Sequence, residues 1–131
     1  MINKENPISN RWVIISSILG LLGVAIGALG AHLLKQFLTP ETTEIFKTGV
    51  LYHLVHAVVM LAVSLSGRSE LCRANKFFFS GIILFSFSLY IYSLTSMKFL
   101  AMITPFGGVT FLLGWLVLIW QGRERELKIK N

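Results

Sequence analysis

The stretch from Trp12 to Leu34, WVIISSILGLLGVAIGALGAHLL, decides the fold, because its 23 residues include no Asp, Glu, Lys or Arg. A helix needs about 20 such residues to cross a hydrocarbon core of roughly 30 Å. Three further uncharged stretches of 20, 21 and 24 residues follow. The sequence therefore predicts an all-α fold: an integral membrane four-helix bundle, one domain over residues 1–131, with spans at about 12–34, 48–67, 77–97 and 99–122.

The composition agrees with a membrane location. Hydrophobic residues make up 54% of the chain and charged residues 14%, against roughly 25% charged in a soluble domain. Every charged side chain lies outside the four stretches, and the longest polar segment, Lys35–Lys47, is too short to form a separate soluble domain. Cys72 is the only cysteine, so an intrachain disulfide is impossible.

The basic residues predict the orientation. The formal net charge is +6, and alternate polar segments share a side of the membrane. The side with both termini and Arg68–Lys76 collects nine Lys and Arg, and the other side three. By the positive-inside rule both termini are then cytoplasmic. The basic excess is thus a topology signal, attracted at the tail to anionic headgroups, and we expect no nucleic-acid binding.

Two proline positions bear on where helices begin. Thr39 as cap, Pro40 at the first position and acidic Glu41 predict that the second helix starts at Pro40. In the fourth span, either Thr104 caps a helix that starts at Pro105, or a helix from near residue 99 runs through the proline. The cap is the favoured interpretation.

Small residues mark one face of the first span. They follow one another at steps of four, three, four and three, within an arc of about 80°, and membrane helices associate by close backbone approach over such residues. Internal packing is the favoured role, and a homodimer contact is the alternative. A second narrow face, with Ala25, Ala28 and His32, predicts a central position for this helix. The helix-packing face consists of Ser16, Gly20, Gly23, Gly27 and Gly30.

Three histidines are the groups in or beside the spans that titrate near neutral pH. With the predicted topology they share the outer half of the bilayer with several hydroxyl groups, and polar groups in lipid are costly unless partnered. We therefore predict an outward-facing polar pocket beneath the Lys35–Lys47 segment. It is either an interhelical hydrogen-bond cluster that fixes helix register, the favoured alternative, or a site for a ligand, ion or lipid headgroup; a metal or catalytic site ranks third. The predicted residues are His32, Thr48, Tyr52, His53, His56, Tyr90, Tyr92, Ser93 and Thr104.

Missing residue types exclude several classes of small four-span protein. Quinone-linked disulfide enzymes need cysteine pairs, and small multidrug exporters need a carboxylate inside the membrane. His53 and His56 share a helix face, so they cannot hold one haem between them. Zinc on three histidines would lack a carboxylate in the spans to orient them. The sequence therefore predicts no catalytic residue, no metal and no cofactor.

Several motifs resemble the YgdD-like family of small bacterial inner-membrane proteins. In chain order they are GALGAH at 27–32, FKTGVLYHLVHA at 46–57, FSFSLY at 85–90, TPFGG at 104–108 and FLLGW at 111–115. Two positions depart from the family pattern: His53, where Gln is usual, and Phe87, where Gly is usual. The first departure makes His32 and His56 the better candidates for a site. The resemblance implies four spans and a bacterial plasma-membrane location, and it supplies no activity.

Together these observations predict a non-enzymatic multi-pass membrane protein that acts through a partner protein, lipid or small ligand at the outer polar pocket. The alternative function is a small transporter or channel subunit, assembled by homo-oligomerisation along the Gly20–Gly30 face. The expected partners are the lipid bilayer and either a second copy of the chain or another membrane protein.

Overall fold

The computed structural model describes residues 7–130, which form four long helices and, over that range, no strand. Each helix is long and apolar enough to cross a membrane. The all-α fold is confirmed, and each predicted span overlaps one helix. Lys4, counted in the charge argument, lies outside the described residues. The helices are α1 (Pro7–His32), α2 (Pro40–Leu65), α3 (Cys72–Thr95) and α4 (Lys98–Lys130).

α2 begins where the sequence predicts. Thr39 Oγ1 accepts a hydrogen bond from the Thr42 N–H at 3.1 Å, and Thr42 Oγ1 accepts one from the Thr39 N–H at 2.9 Å. This reciprocal pair satisfies two donors that a helix start leaves open, and Pro40 at the first position has no N–H to satisfy. With 26 residues, α2 is about 39 Å long, so it extends past the hydrocarbon core.

α4 shows that the favoured cap at Thr104 is wrong. The helix starts at Lys98 and carries Pro105 inside it. The proline removes one backbone hydrogen bond, whereas a start at Pro105 would leave residues 98–104 without internal partners in lipid. Thr104 instead links two helices, because its hydroxyl lies 2.8 Å from that of Ser88 on α3.

α3 changes its winding in the middle. Residues Ile82–Phe87 are π-helical, with α-helical turns on either side. Such segments are rare and locally widen the helix. Gly107 of α4 packs directly on this segment, since a Cβ added there would lie 2.4 Å from the Phe85 backbone nitrogen. The contact between α3 and α4 is therefore backbone against backbone at this point.

Successive helices run antiparallel, with α2 and α3 at the centre. α1 packs on α2, α2 on α3, and α3 on α4. The connections at 33–39 and 96–97 form one end of the bundle, called here the hairpin end. The connection at 66–71 and the C-terminal turns of α4 form the other, called here the terminal end. α1 therefore lies at the edge of the bundle.

The predicted central position of α1 is wrong. Ala25, Ala28 and His32, its second narrow face, are all exposed. Small residues permit a close helix approach without requiring one, and among residues 7–130 no helix covers that face. Small size alone therefore does not predict a helix contact.

The other small-residue face of α1 contacts α2 of the same chain. Cβ atoms added at Gly23, Gly27 and Gly30 would lie 2.6, 3.1 and 2.2 Å from side chains of α2. Ser16 is buried, and its hydroxyl donates to a carbonyl of its own helix at 2.6 Å. A Cβ added at Gly20 would meet no atom of another helix within 4 Å. Three of the five predicted positions thus form an internal packing surface.

Candidate functional site

His53 lies at the centre of the bundle and is fully buried. Its Nδ1 lies 3.0 Å from the Tyr90 hydroxyl, and the two atoms form a hydrogen bond. Within residues 7–130 no hydrogen bond of good geometry reaches its Nε2, and the Leu19 backbone on α1 supplies the other polar group near the ring. His53 therefore joins α1, α2 and α3.

His56 is buried as well, and both of its ring nitrogens are occupied. The Trp115 indole N–H donates to Nε2 at 3.3 Å, and an indole nitrogen can only donate. Nε2 is therefore the acceptor, so Nδ1 carries the hydrogen and donates it to the Tyr52 carbonyl at 2.8 Å. The ring also stacks on Phe111, with centroids 3.7 Å apart. His56 thus has no lone pair left for a metal or ligand.

Four of the nine predicted pocket residues form two contacting pairs. Tyr52 stacks beside His56 with centroids 5.9 Å apart, and the other pair is His53 with Tyr90. The remaining five belong to neither pair. His32 is exposed and Tyr92 is half-buried. Thr48 and Ser93 donate to carbonyls of their own helices, and Thr104 bonds Ser88. Within the described part of the chain, no three His, Cys, Asp or Glu side chains are arranged to hold a metal ion.

A different cavity at the hairpin end is lined in part by residues of the Lys35–Lys47 segment. It has a volume of about 470 Å³ and lies between α1 and α2; we call it the hairpin groove. Lys35, Thr43 and Lys47 contribute its polar atoms. Its apolar wall consists of Gly27, Gly30, Ala31, Leu38, Phe46, Val50, Leu51 and Leu54. None of the nine predicted pocket residues lines this groove. The two glycines facing apolar residues were the signal in the sequence that could have indicated it.

The mouth of the hairpin groove is basic. Lys47 Nζ lies 2.7 Å from a Glu44 carboxylate oxygen, and both side chains are largely exposed. Lys35 forms no ion pair with any residue in the described range. One cation at the mouth is therefore uncompensated, and the other is shared with an exposed carboxylate.

Phe46 connects the groove to the His53–Tyr90 pair. Its side chain lines the groove and is 4% exposed. Its ring centroid lies 5.1 Å from that of Tyr90, whose hydroxyl bonds His53. A molecule in the groove would therefore touch a ring that packs directly on the His53–Tyr90 pair.

Comparison with known proteins identifies one family profile and several relatives that agree with one another. The profile of a family described as "Protein of unknown function (DUF423)" matches residues 26–108. The UPF0382 membrane protein YwdK of Bacillus subtilis is 41% identical over 113 residues, which are 82% of this chain and 92% of that protein. The UPF0382 inner membrane protein YgdD of Escherichia coli is 35% identical over 115 residues, 85% of this chain and 88% of that protein. No solved structure matches the chain.

Proposed function

The chain belongs to the DUF423 family of membrane proteins, and we propose that it binds a single-chain amphiphile with an anionic head in the hairpin groove. The names of the relatives support a multi-pass protein of the bacterial inner membrane. No enzymatic name occurs among them, and the proposed role is binding without chemistry. The observation that carries the proposal is an apolar groove with lysines at its mouth.

The dimensions of the groove suit a small ligand. Binding sites for small molecules are clefts of about 300–1,000 Å³ with mostly apolar walls and a few placed polar groups, and the groove measures about 470 Å³. Its polar groups are confined to the end near the Lys35–Lys47 segment. The chain of an amphiphile would lie along the wall between α1 and α2, and its head would meet the lysines.

The lysines at the mouth of the hairpin groove favour an amphiphile with an anionic head group. Lys35 and Lys47 are the charged side chains that line the groove, and both are cations. A carboxylate or phosphate head would pair with Lys35 and compete with Glu44 for Lys47. A cationic head would be repelled by the lysines, and an uncharged head would accept only the weaker hydrogen bond of a neutral oxygen. We therefore infer an anionic amphiphile.

Photo-crosslinking of the purified full chain in an uncharged detergent tests this proposal. The probe is a long-chain fatty acid with a diazirine on its tail, and the labelled residues are mapped by peptide mass spectrometry. We expect label on the groove-lining residues of α1 and α2. Changing both Lys35 and Lys47 to Gln should lower labelling about fivefold, because each exposed ion pair contributes about 1 kcal/mol or less.

Two matched controls make the result specific. Ala31→Trp fills the groove and should abolish labelling there, whereas Ala25→Trp, on an exposed face of the same helix outside the groove, should not. Lys98→Gln removes a cation at the hairpin end without touching the groove. Equal labelling of the Ala31→Trp variant, or equal labelling by the methyl ester of the probe, would contradict the proposal.

We further propose that both termini are cytoplasmic, so that the groove opens to the outer leaflet. The nine-to-three distribution of Lys and Arg supports this orientation. An alkaline phosphatase fused at Asn131 should be inactive, and the same enzyme inserted within Lys35–Lys47 should be active. The reverse pattern would move the groove to the inner leaflet and leave its chemistry unchanged.

A homo-oligomeric transporter or channel subunit remains the alternative function, and no contact specifically favours it. Gly23, Gly27 and Gly30 already pack on α2 of the same chain, so this part of the face is unavailable to a second copy. Native mass spectrometry of the same sample separates the two functions. We expect a monomer that retains amphiphile.

A further inference from the structure

A second cavity, of about 480 Å³, lies at the terminal end between the 66–71 connection and α4. The α4 residues that line it follow at steps of one, three, one and three and therefore share one helix face. The connection and the first turn of α3 supply the other wall. We call this space the terminal cavity; it is lined by Arg68, Glu70, Arg73, Trp120, Gln121, Glu124, Arg125 and Lys128.

The terminal cavity has an excess of positive charge. Four of its lining residues are Arg or Lys and two are Glu. Arg68 Nε lies 3.1 Å from a Glu70 carboxylate oxygen. The Glu70 backbone N–H and the Arg68 guanidinium lower the pKa of this carboxyl, so it is ionised at neutral pH. Glu70 therefore competes with any external anion for Arg68.

Gln121 holds the two walls together. It is 6% exposed, and its amide donates to the Glu70 backbone carbonyl. This bond fixes the 66–71 connection against α4, so the cations of both walls line one cavity. Its Oε1 is buried and has no hydrogen-bond partner within the described range.

Trp120 sets the depth of the terminal cavity in the membrane. Its side chain lines the cavity and is 56% exposed, and such indoles lie at headgroup level. α4 has 33 residues and is about 50 Å long, so the turns beyond Trp120 project out of the hydrocarbon core. The cavity therefore opens at the depth where phospholipid phosphates lie.

We propose that the terminal cavity binds the phosphate of an anionic phospholipid headgroup. Basic pockets between membrane helices are suited to such headgroups, and Arg matches phosphate oxygens with paired N–H groups. Arg68 and Arg125 face the phosphate from opposite walls, and the acyl chains lie outside, past Trp120. This site is separate from the hairpin groove, so the two proposals can fail independently.

The test is a lipid titration of the purified full chain in an uncharged detergent, followed by native mass spectrometry. The probes are short-chain phosphatidylglycerol and phosphatidylcholine. We expect phosphatidylglycerol to bind about tenfold more tightly, and the double variant Arg68→Gln with Arg125→Gln to lose most of this preference. Arg11→Gln with Arg123→Gln removes the same charge at the same end, outside the cavity, and should retain it.

A third variant is expected to raise the affinity for phosphatidylglycerol, whereas the cavity double variant lowers it. Glu70→Gln removes the competing carboxylate and should tighten phosphatidylglycerol binding about threefold, a gain that damage to the fold would not produce. Equal losses in the two double variants would overturn the site in favour of general surface attraction. Inorganic phosphate that competes at the same concentration as the lipid would overturn the lipid as ligand. A Glu70→Gln variant that binds more weakly would overturn the role given to Arg68.

Discussion

Gly107→Ala is expected to lower the free energy of unfolding by about 3 kcal/mol or to prevent folding. The added Cβ would lie 2.4 Å from the Phe85 backbone nitrogen and 2.7 Å from the Leu84 carbonyl carbon. Backbone atoms in the middle of a helix cannot rotate away as a side-chain tip can. α3 and α4 must therefore separate, which also strains the Ser88–Thr104 hydrogen bond one turn away.

The neighbouring glycine provides the control. A Cβ at Gly108 would meet its nearest atom of Phe85 at 4.0 Å, an ordinary contact. Ala is the better helix former by about 0.5–1 kcal/mol, so Gly108→Ala should be neutral or slightly stabilising. Both variants can be compared by unfolding in mixed micelles, followed by circular dichroism. Equal stability of the two would show that the helices do not approach as closely as described.

Phe78→Ala is expected to cost about 2–3 kcal/mol. Phe78 is fully buried, and its ring centroid lies 5.4 Å from that of His56 and 5.5 Å from that of Trp115. In lipid, the free energy of transferring the side chain out of the bundle is small, because the acyl chains are as apolar as the side chain. The cost of the cavity remains: about 24 cal/mol per Å³ for roughly 100 Å³ of lost side chain.

A double variant distinguishes this packing effect from other causes. A Cβ at Gly114 would lie 2.5 Å from the Phe78 ring, so Gly114→Ala alone should destabilise the bundle. Combined with Phe78→Ala, it fills part of the vacated space, and the double variant should be more stable than the two single effects predict. Phe79→Ala, at a 37% exposed position, should have a much smaller effect. Strict additivity would contradict the described contact.

The sequence predicted the backbone of this protein well. The start of α2 at Pro40 is confirmed, because capping depends on residues adjacent in the chain. The cap at Thr104 was wrong for a related reason. The Thr104-Pro105 sequence is compatible both with a helix start and with a helix interior, and only the need to satisfy the preceding backbone in lipid decides between them.

The site was predicted less well. His53 and Tyr90 are on different helices and form a hydrogen bond, as expected of polar groups in a bilayer. His32, which the resemblance made a better candidate than His53, is exposed at the edge of the bundle. The residues lining the hairpin groove are mostly apolar, so the search for polar groups in the spans could not find them.

The sequence by itself determined the number of spans, their approximate limits and the start of α2, because length, charge and capping act locally along the chain. Only the tertiary structure decided which face of each helix is packed. Leu19 is 5% exposed and Leu21 is 71% exposed, although both are leucines of the same span. In water the hydrophobic effect would separate the buried from the exposed face. In lipid both faces are apolar, so their packing partners appear only when the helices are assembled.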